Sequence, residues 1–355
     1  GLALCALRGA RGHGQAAVDF LLQTPWGLGL VANSAEPHKY TRRDWVAKDV
    51  ARVAAKQPGS AINLSEVFGA MNGDPAAEPN KKKRTRWSRS SLDELLALPE
   101  PDWLIEDYVR CGQLGFLVAM TTVGKSTVSA AWMMSVLHGR EWCGKKVKAG
   151  SVIALVGEGR RGFVQRLEGY RKHHDLGPTP EGSYIEIVDF REQLSDPKGH
   201  RAMFELVQEI VAERGHAPVL IVIDTLSSHW GATEDSAEFG APAMRALGDL
   251  AAMHEAVVAV NHHTTKGKGL DVMPELGDLR GSGTFISNTD FVFAMCEQSS
   301  SPVLLAGLKL KDDERPPWLR LTRASVAIGQ AAGKEITAAV FPGDTGETVA
   351  RSEEA

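Results

Sequence analysis

Gly124, Lys125 and Ser126 lie between the apolar run 114–118 and the helix-period segment VSAAWMMSVLHG. In such an order of strand, tight loop and helix, the backbone N–H groups and the helix N-terminus converge on an anion, and the lysine adds charge. The chemistry indicated is polyphosphate binding. Met120, Thr121, Thr122, Val123, Gly124 and Lys125 would form the loop and Thr127 the following turn, with Lys125 on the β and γ phosphates of ATP and Ser126 on Mg2+. The usual loop begins with glycine where this chain has Ala119, the smallest replacement. A chance turn capped by Ser126 is the alternative for the tripeptide alone.

Hydrolysis also needs a metal partner and a group that orients water. Residues 218–224, PVLIVID, form an apolar strand ending in Asp224, which would sit beside Mg2+ at the carboxyl edge of a sheet. A buried strand ending in a turn aspartate is the plainer alternative. In SVIALVGEG a second strand ends at Glu158, between two glycines that let the backbone approach a ligand, so Glu158 is the candidate to polarise the lytic water. A solvated glutamate beside Arg160 and Arg161 is the competing view. A third strand ends in NHHTTKGKG. Adjacent strand residues face opposite ways, so His262 and His263 cannot easily share a metal; His263 is the candidate γ-phosphate sensor and His262 is packed or solvated.

These groups require a common scaffold. Short apolar runs at 114–118, 151–156, 184–188, 219–223 and 256–260 alternate with helix-period segments at 126–137, 161–172, 200–214 and 242–254. That alternation predicts βα units and a mainly parallel twisted sheet flanked by helices. Beyond Phe291 the strands crowd together, which predicts antiparallel C-terminal hairpins closing the far edge.

The 355 residues, 43% hydrophobic and 24% charged, exclude a single small module and wholesale disorder. The longest apolar runs are too short to cross a bilayer, so no membrane is expected. Cys5, Cys111, Cys143 and Cys296 lie far apart without a CxxC pair, which fits a reducing cytoplasm better than a zinc site or disulfide framework. The first residue is glycine, so the chain is read as a possible N-terminally truncated fragment.

The net charge of −4 is unevenly spread: 1–89 carry 14 Lys or Arg against 7 Asp or Glu, and 90–355 carry 26 against 37. Lys81, Lys82, Lys83, Arg84, Arg86 and Arg89 surround Trp87. Such a run serves as a solvated linker, a nucleic-acid contact or a localisation tag, and the linker is favoured. The expected organisation is a basic N-terminal extension at 1–90 with one amphipathic helix near 43–56, an ATPase domain at 91–345 and a tail at 346–355.

Taken in order, DWLIEDYVRCGQLGFLVAMTTVGKST, SVIALVGEG with Arg166 downstream, VLIVIDTLSSHWGATEDSAEFG, HHTTKGKG, LRGSG and KLKDDE resemble the RecA-like AAA family ATPases, in particular the RepA-type hexameric plasmid and phage replicative helicases. The resemblance covers about residues 100–325. It implies a RecA-like P-loop NTPase core, ATP and Mg2+ as ligands, a homo-oligomer that is a hexameric ring, single-stranded DNA in the channel and a primase or other replication protein as partner. It also implies a cation supplied across the subunit interface, matched by Lys311 or Lys309, and family arginines matched by Arg166 and Arg280. One departure bears on DNA: the channel-facing loop GKGLDVMPELGD sets Lys268 against Asp271, Glu275 and Asp278, whereas a strand-tracking channel should be basic. The expected function is Mg-dependent ATP hydrolysis driving a DNA helicase. An ATPase that loads or regulates a partner without unwinding, and a nucleotide-binding DNA-binding protein that has lost catalysis, are the alternatives.

Overall fold

The computed structural model describes residues 90–97, 102–231, 237–265, 269–281, 283–297, 302–343 and 347–349. Cys5, the helix expected at 43–56, the basic run 81–89, Lys266, Lys268 and residues 350–355 of the expected tail lie outside the described residues. The chain divides into two compact units, Gly1–Pro99 with Gln208–Glu213, and Glu100–Val207 with Arg214–Ala355. In the first, the described residues form the five-residue helix α1 (Leu92–Leu96) and the 208–213 stretch of a longer helix named below.

The second unit opens with an antiparallel pair, β1 (Trp103–Ile105) and β2 (Val109–Arg110). Strands and helices then alternate: β3 (Leu114–Ala119), α2 (Lys125–His138), β4 (Val152–Val156), α3 (Arg160–His173), β5 (Ile185–Asp189), α4 (Pro197–Arg214), β6 (Leu220–Asp224), α5 (Ala237–His254) and β7 (Val257–His263). A short helix α6 (Gly283–Ser287) leads to β8 (Phe291–Glu297), followed by β9 (Pro302–Leu310), β10 (Trp318–Thr322), β11 (Ala324–Ala331), β12 (Lys334–Val340) and β13 (Glu347–Val349).

The main sheet runs β13-β10-β9-β8-β3-β7-β6-β4-β5. From β5 to β8 all pairings are parallel, and from β8 to β13 they are antiparallel. This is the expected RecA-like α/β core. One detail differs: β11 and β12 leave the sheet and pair only with each other, packing over α3 and α2. Burial along β11 alternates, the mark of a strand with one covered face, whereas β3, β4 and β6 are buried throughout because helices cover both faces of the sheet.

Helix α2 is buried from Thr127 to Leu137, consistent with a segment apolar on nearly every side. Trp132 meets Trp142 and Phe293 edge-on at 5.7 and 6.0 Å, and Tyr108 meets Trp142 at 5.6 Å. This aromatic packing fixes the helix that carries Lys125. Helix α5 starts five residues before the expected 242: Pro242 suits a first turn, yet here it lies inside the helix, which forgoes one backbone bond.

Candidate active site

The parallel register brings the carboxyl ends of four strands to one edge. Ala119 pairs with His263, Asp224 with Asn261, and Val156 with Asp224. Residues separated by more than a hundred positions therefore become neighbours at the mouth of the loop that follows β3.

Ala119 is the last residue of β3 and fully buried, so this strand end accommodates a Cβ where the usual pattern has glycine. Left-handed conformation appears further along the loop, at Thr122 (φ 74°) and Gly124 (φ 122°). At Gly124 a Cβ would also lie 2.7 Å from the Phe341 ring. Gly124 caps α2, its carbonyl accepting from the N–H groups of Thr127 and Val128 at 2.9 and 3.0 Å. The Lys125 ammonium is buried and donates to the carbonyls of Ala119 (3.0 Å) and Met120 (3.1 Å). Burial pushes its pKa down to about 8, partly offset by the nearby Asp224 carboxylate. Ser126 is half-buried in the first turn of α2; Thr121 and Thr122 are exposed.

Asp224 is buried and accepts a 2.9 Å bond from Asn261 Nδ2. Asn261 Oδ1 in turn accepts from Ser129 Oγ at 3.0 Å. A chain of side chains from α2 through β7 to β6 thus sets the carboxylate beside the loop. Glu158, exposed, lies two residues past the end of β4. The preceding Gly157 donates its N–H to the Asp224 carbonyl at 3.0 Å, and a Cβ at Gly157 would lie 2.5 Å from the His229 ring. His229 is fully buried, which pushes its pKa down to about 4.

The two histidines face opposite ways, as strand alternation requires. His263 Nδ1 is 3.3 Å from Lys125 Nζ. Because an ammonium only donates, Nδ1 accepts and the His263 ring proton resides on Nε2. His262 is fully buried against Phe116 and Phe285, and its Nε2–H donates to the Arg280 carbonyl at 2.6 Å. Burial drives its pKa down to about 4. Arg280 N–H also donates to the His263 carbonyl, at 3.1 Å.

The remaining predicted residues lie elsewhere. Arg166 is half-buried on α3. Lys309 Nζ donates to the carbonyls of Ile286 (2.7 Å) and Thr289 (2.5 Å). Lys311 is 60% exposed and lies 3.6 Å from Asp290. Asp290 bonds Leu114, the first residue of β3, through backbone and side chain at 2.7 and 3.0 Å. Lys311 therefore sits at the opposite edge of the sheet, about 17 Å from the loop at roughly 3.3 Å per strand residue.

The donor set fits a nucleotide and a hard divalent cation. One hydroxyl (Ser126) and one carboxylate (Asp224) suit Mg2+, which commonly takes one or two carboxylates and completes its shell with water and phosphate oxygens. Thr264, next to His263, has a buried hydroxyl with no partner among the described residues, and its N–H reaches the Ala119 carbonyl at 3.4 Å. A desolvated ammonium, a glycine cradle and an unsatisfied hydroxyl are what an anionic ligand would complete.

Sequence reading missed Asn261, Ser129, Arg323 and Phe341. Asn261 carried a signal, a polar residue inside the apolar strand VVAVNHH. Arg323 and Phe341 meet the loop only through the fold: Arg323 Nη2 donates to the Val123 carbonyl at 3.0 Å, and Phe341 packs on Gly124.

A family model described as an AAA domain matches residues 79–269. No curated protein matches the chain. Among solved structures, an isolated ATPase domain aligns at 14% identity and TM-score 0.45, over 59% of this chain and 81% of that one. The RadB recombinase aligns at 14% identity and TM-score 0.42, over 60% and 88%. A KaiC-like protein from Pyrococcus horikoshii gives 14% identity and TM-score 0.42, over 66% and 93%.

Proposed function

The chain belongs to the AAA-domain family and has a RecA-like ATPase core, and from that premise we propose that it hydrolyses ATP with Mg2+ to drive work on DNA as a ring helicase. One observation carries the reading: Lys125, His263 and the Asn261-held Asp224 converge at one sheet edge behind a glycine-capped helix. Amides of residues 120–125 and Lys125 bind phosphate, Ser126 and Asp224 hold the metal, Glu158 aligns water and His263 donates from Nε2. Bound Mg2+ would neutralise charge developing on the phosphoryl oxygens. Arg166 is kept as a nucleotide-side arginine.

Lys311, exposed at the opposite edge, cannot serve its own subunit's loop, which supports its assignment as the cation lent to a neighbour; Lys309, bound to two carbonyls, is the weaker candidate. A hexameric ring, single-stranded DNA, a replication partner such as a primase, a cytoplasmic setting and the 91–345 domain boundaries belong to the same proposal. Among the described residues no helix is long and apolar enough to cross a membrane.

A second reading, an ATPase that loads or regulates a partner without unwinding, is favoured by one feature. The loop expected to face the channel exposes Asp271 and Glu275 beside Leu270 and Val272. Phosphate release, with strand displacement on a forked duplex, separates the two. Lys125→Ala should abolish nucleotide binding, and Glu158→Gln should keep ATP bound while turnover falls by orders of magnitude. Undiminished hydrolysis in both variants would refute the site. DNA-stimulated turnover without displacement would select the second reading.

A further inference from the structure

Three contacts link the phosphate loop to an exposed loop on the far side of β8. Arg323, between β10 and β11, donates from Nη2 to the Val123 carbonyl at 3.0 Å and from Nη1 to Glu297 Oε1 at 3.2 Å. Glu297, the last residue of β8, donates its own N–H to the Leu270 carbonyl at 2.7 Å. Leu270 lies in the acidic, apolar loop that departs from the expected basic pattern, with its side chain 43% exposed. The Arg323 guanidinium also lies 5.8 Å from the Phe341 ring, which itself abuts Gly124.

A trans peptide is planar, so its C=O and N–H point in opposite directions. Holding the Val123 oxygen therefore fixes the Gly124 N–H on the side away from Arg323. Gly124 is the residue at which the backbone is freest to rotate, since glycine tolerates both signs of φ. An N–H that must meet an anion gains nothing from that freedom; pre-set orientation removes an ordering cost at binding. A planar guanidinium can hold two acceptors in a fixed geometry at once, which a single ammonium cannot.

We infer that Arg323 is a positioning residue for the nucleotide, orienting the Val123–Gly124 peptide of the phosphate loop and, through Glu297, tying that peptide to the loop at Leu270. The inference rests on reading residues 119–126 as a nucleotide site. Arg323 touches no reacting atom and acts through the peptide it holds. Occupancy at one end of the link is then felt at the other: the loop at Leu270 is steadied when the phosphate loop is filled, and a partner pulling on Leu270 loosens the grip on phosphate.

The test uses the full chain with Mg2+ and a non-hydrolysable ATP analogue. Arg323→Met should raise the Kd for the analogue, and KM for ATP, about tenfold, the scale of one lost charge-assisted bond, with kcat within about threefold of wild type. Arg323→Lys should stay several-fold weak although the charge is kept. Hydrogen exchange over 269–278 should slow on adding the analogue to wild type, and that response should vanish in Glu297→Ala at saturating analogue. Wild-type affinity in Arg323→Met, full rescue by Arg323→Lys, or an intact exchange response in Glu297→Ala would each overturn the inference. A merely structural role lowers the melting temperature and leaves Kd and the exchange response in place, which also counts against it. A wild-type chain that binds no analogue defeats the reading of the site itself, a distinguishable result.

Discussion

Replacing Asn261 with alanine tests how the candidate metal carboxylate is held. Asn261 is fully buried, and its amide joins Asp224 at 2.9 Å to Ser129 at 3.0 Å. Its removal deprives a buried carboxylate of a charge-assisted bond, about 1.5–3 kcal/mol, and leaves the Ser129 hydroxyl without its acceptor, about 1–3 kcal/mol. A loss of roughly 3–5 kcal/mol follows, with any cavity adding to it. Ser129→Ala alone should cost about 1 kcal/mol, because Asn261 still reaches Asp224. Urea unfolding at constant m-value measures both. The same change should shift the Mg2+ dependence of turnover, since a carboxylate without its supporting partner holds a metal about 10–100-fold less tightly. If Asn261→Ala unfolds within about 1 kcal/mol of wild type and keeps the wild-type Mg2+ half-saturation, the strand alone places Asp224 and the argument fails.

Two further outcomes can be read from stability. His262 has a folded pKa of about 4 against an ordinary 6.5, so between those values the unfolded chain binds a proton that the folded chain refuses; stability is complete above pH 6.5 and is lost as pH falls towards 4, by about 3 kcal/mol for this group. The pH–stability curve of His262→Phe should be flatter by that amount, with the buried His229 left to titrate in the same window; an unchanged curve would show that His262 is not the titrating group. Thr122 holds φ 74°, a left-handed conformation costly for a β-branched residue. Thr122→Gly should therefore raise stability by about 1 kcal/mol despite glycine's greater unfolded-state freedom, and a fall in melting temperature would refute the strain argument.

Much of the scaffold was legible because burial on both faces writes itself as unbroken apolar sequence. LGFLVA, VIALV and LIVID could only be interior strands, and each was placed within one or two residues. The loop was legible because its chemistry is local: Gly124, Lys125 and Ser126 are adjacent in sequence. Opposed histidines followed from strand alternation alone. What could not be read depends on distant register. Asn261 gains its meaning only when Asp224 is paired beside it, and Arg323 meets Val123 across 200 positions. Nor could sequence choose between Lys309 and Lys311, which share a pattern but differ in that two carbonyls happen to surround one of them. The departure of β11 and β12 from the sheet was hidden too, because a one-faced strand looks the same whether it lies at a sheet edge or against a helix.

The contact between Gly157 and His229 has a consequence for how related sequences can vary. The imidazole fills the space that any side chain at 157 would need, so the two positions are not free to drift separately. A larger residue at 157 is admissible only alongside a smaller one at 229, and descendants that changed one without the other would displace the peptide leading into Glu158. Homologues should thus inherit the two sites as a linked pair, with glycine persisting wherever a bulky ring persists opposite it.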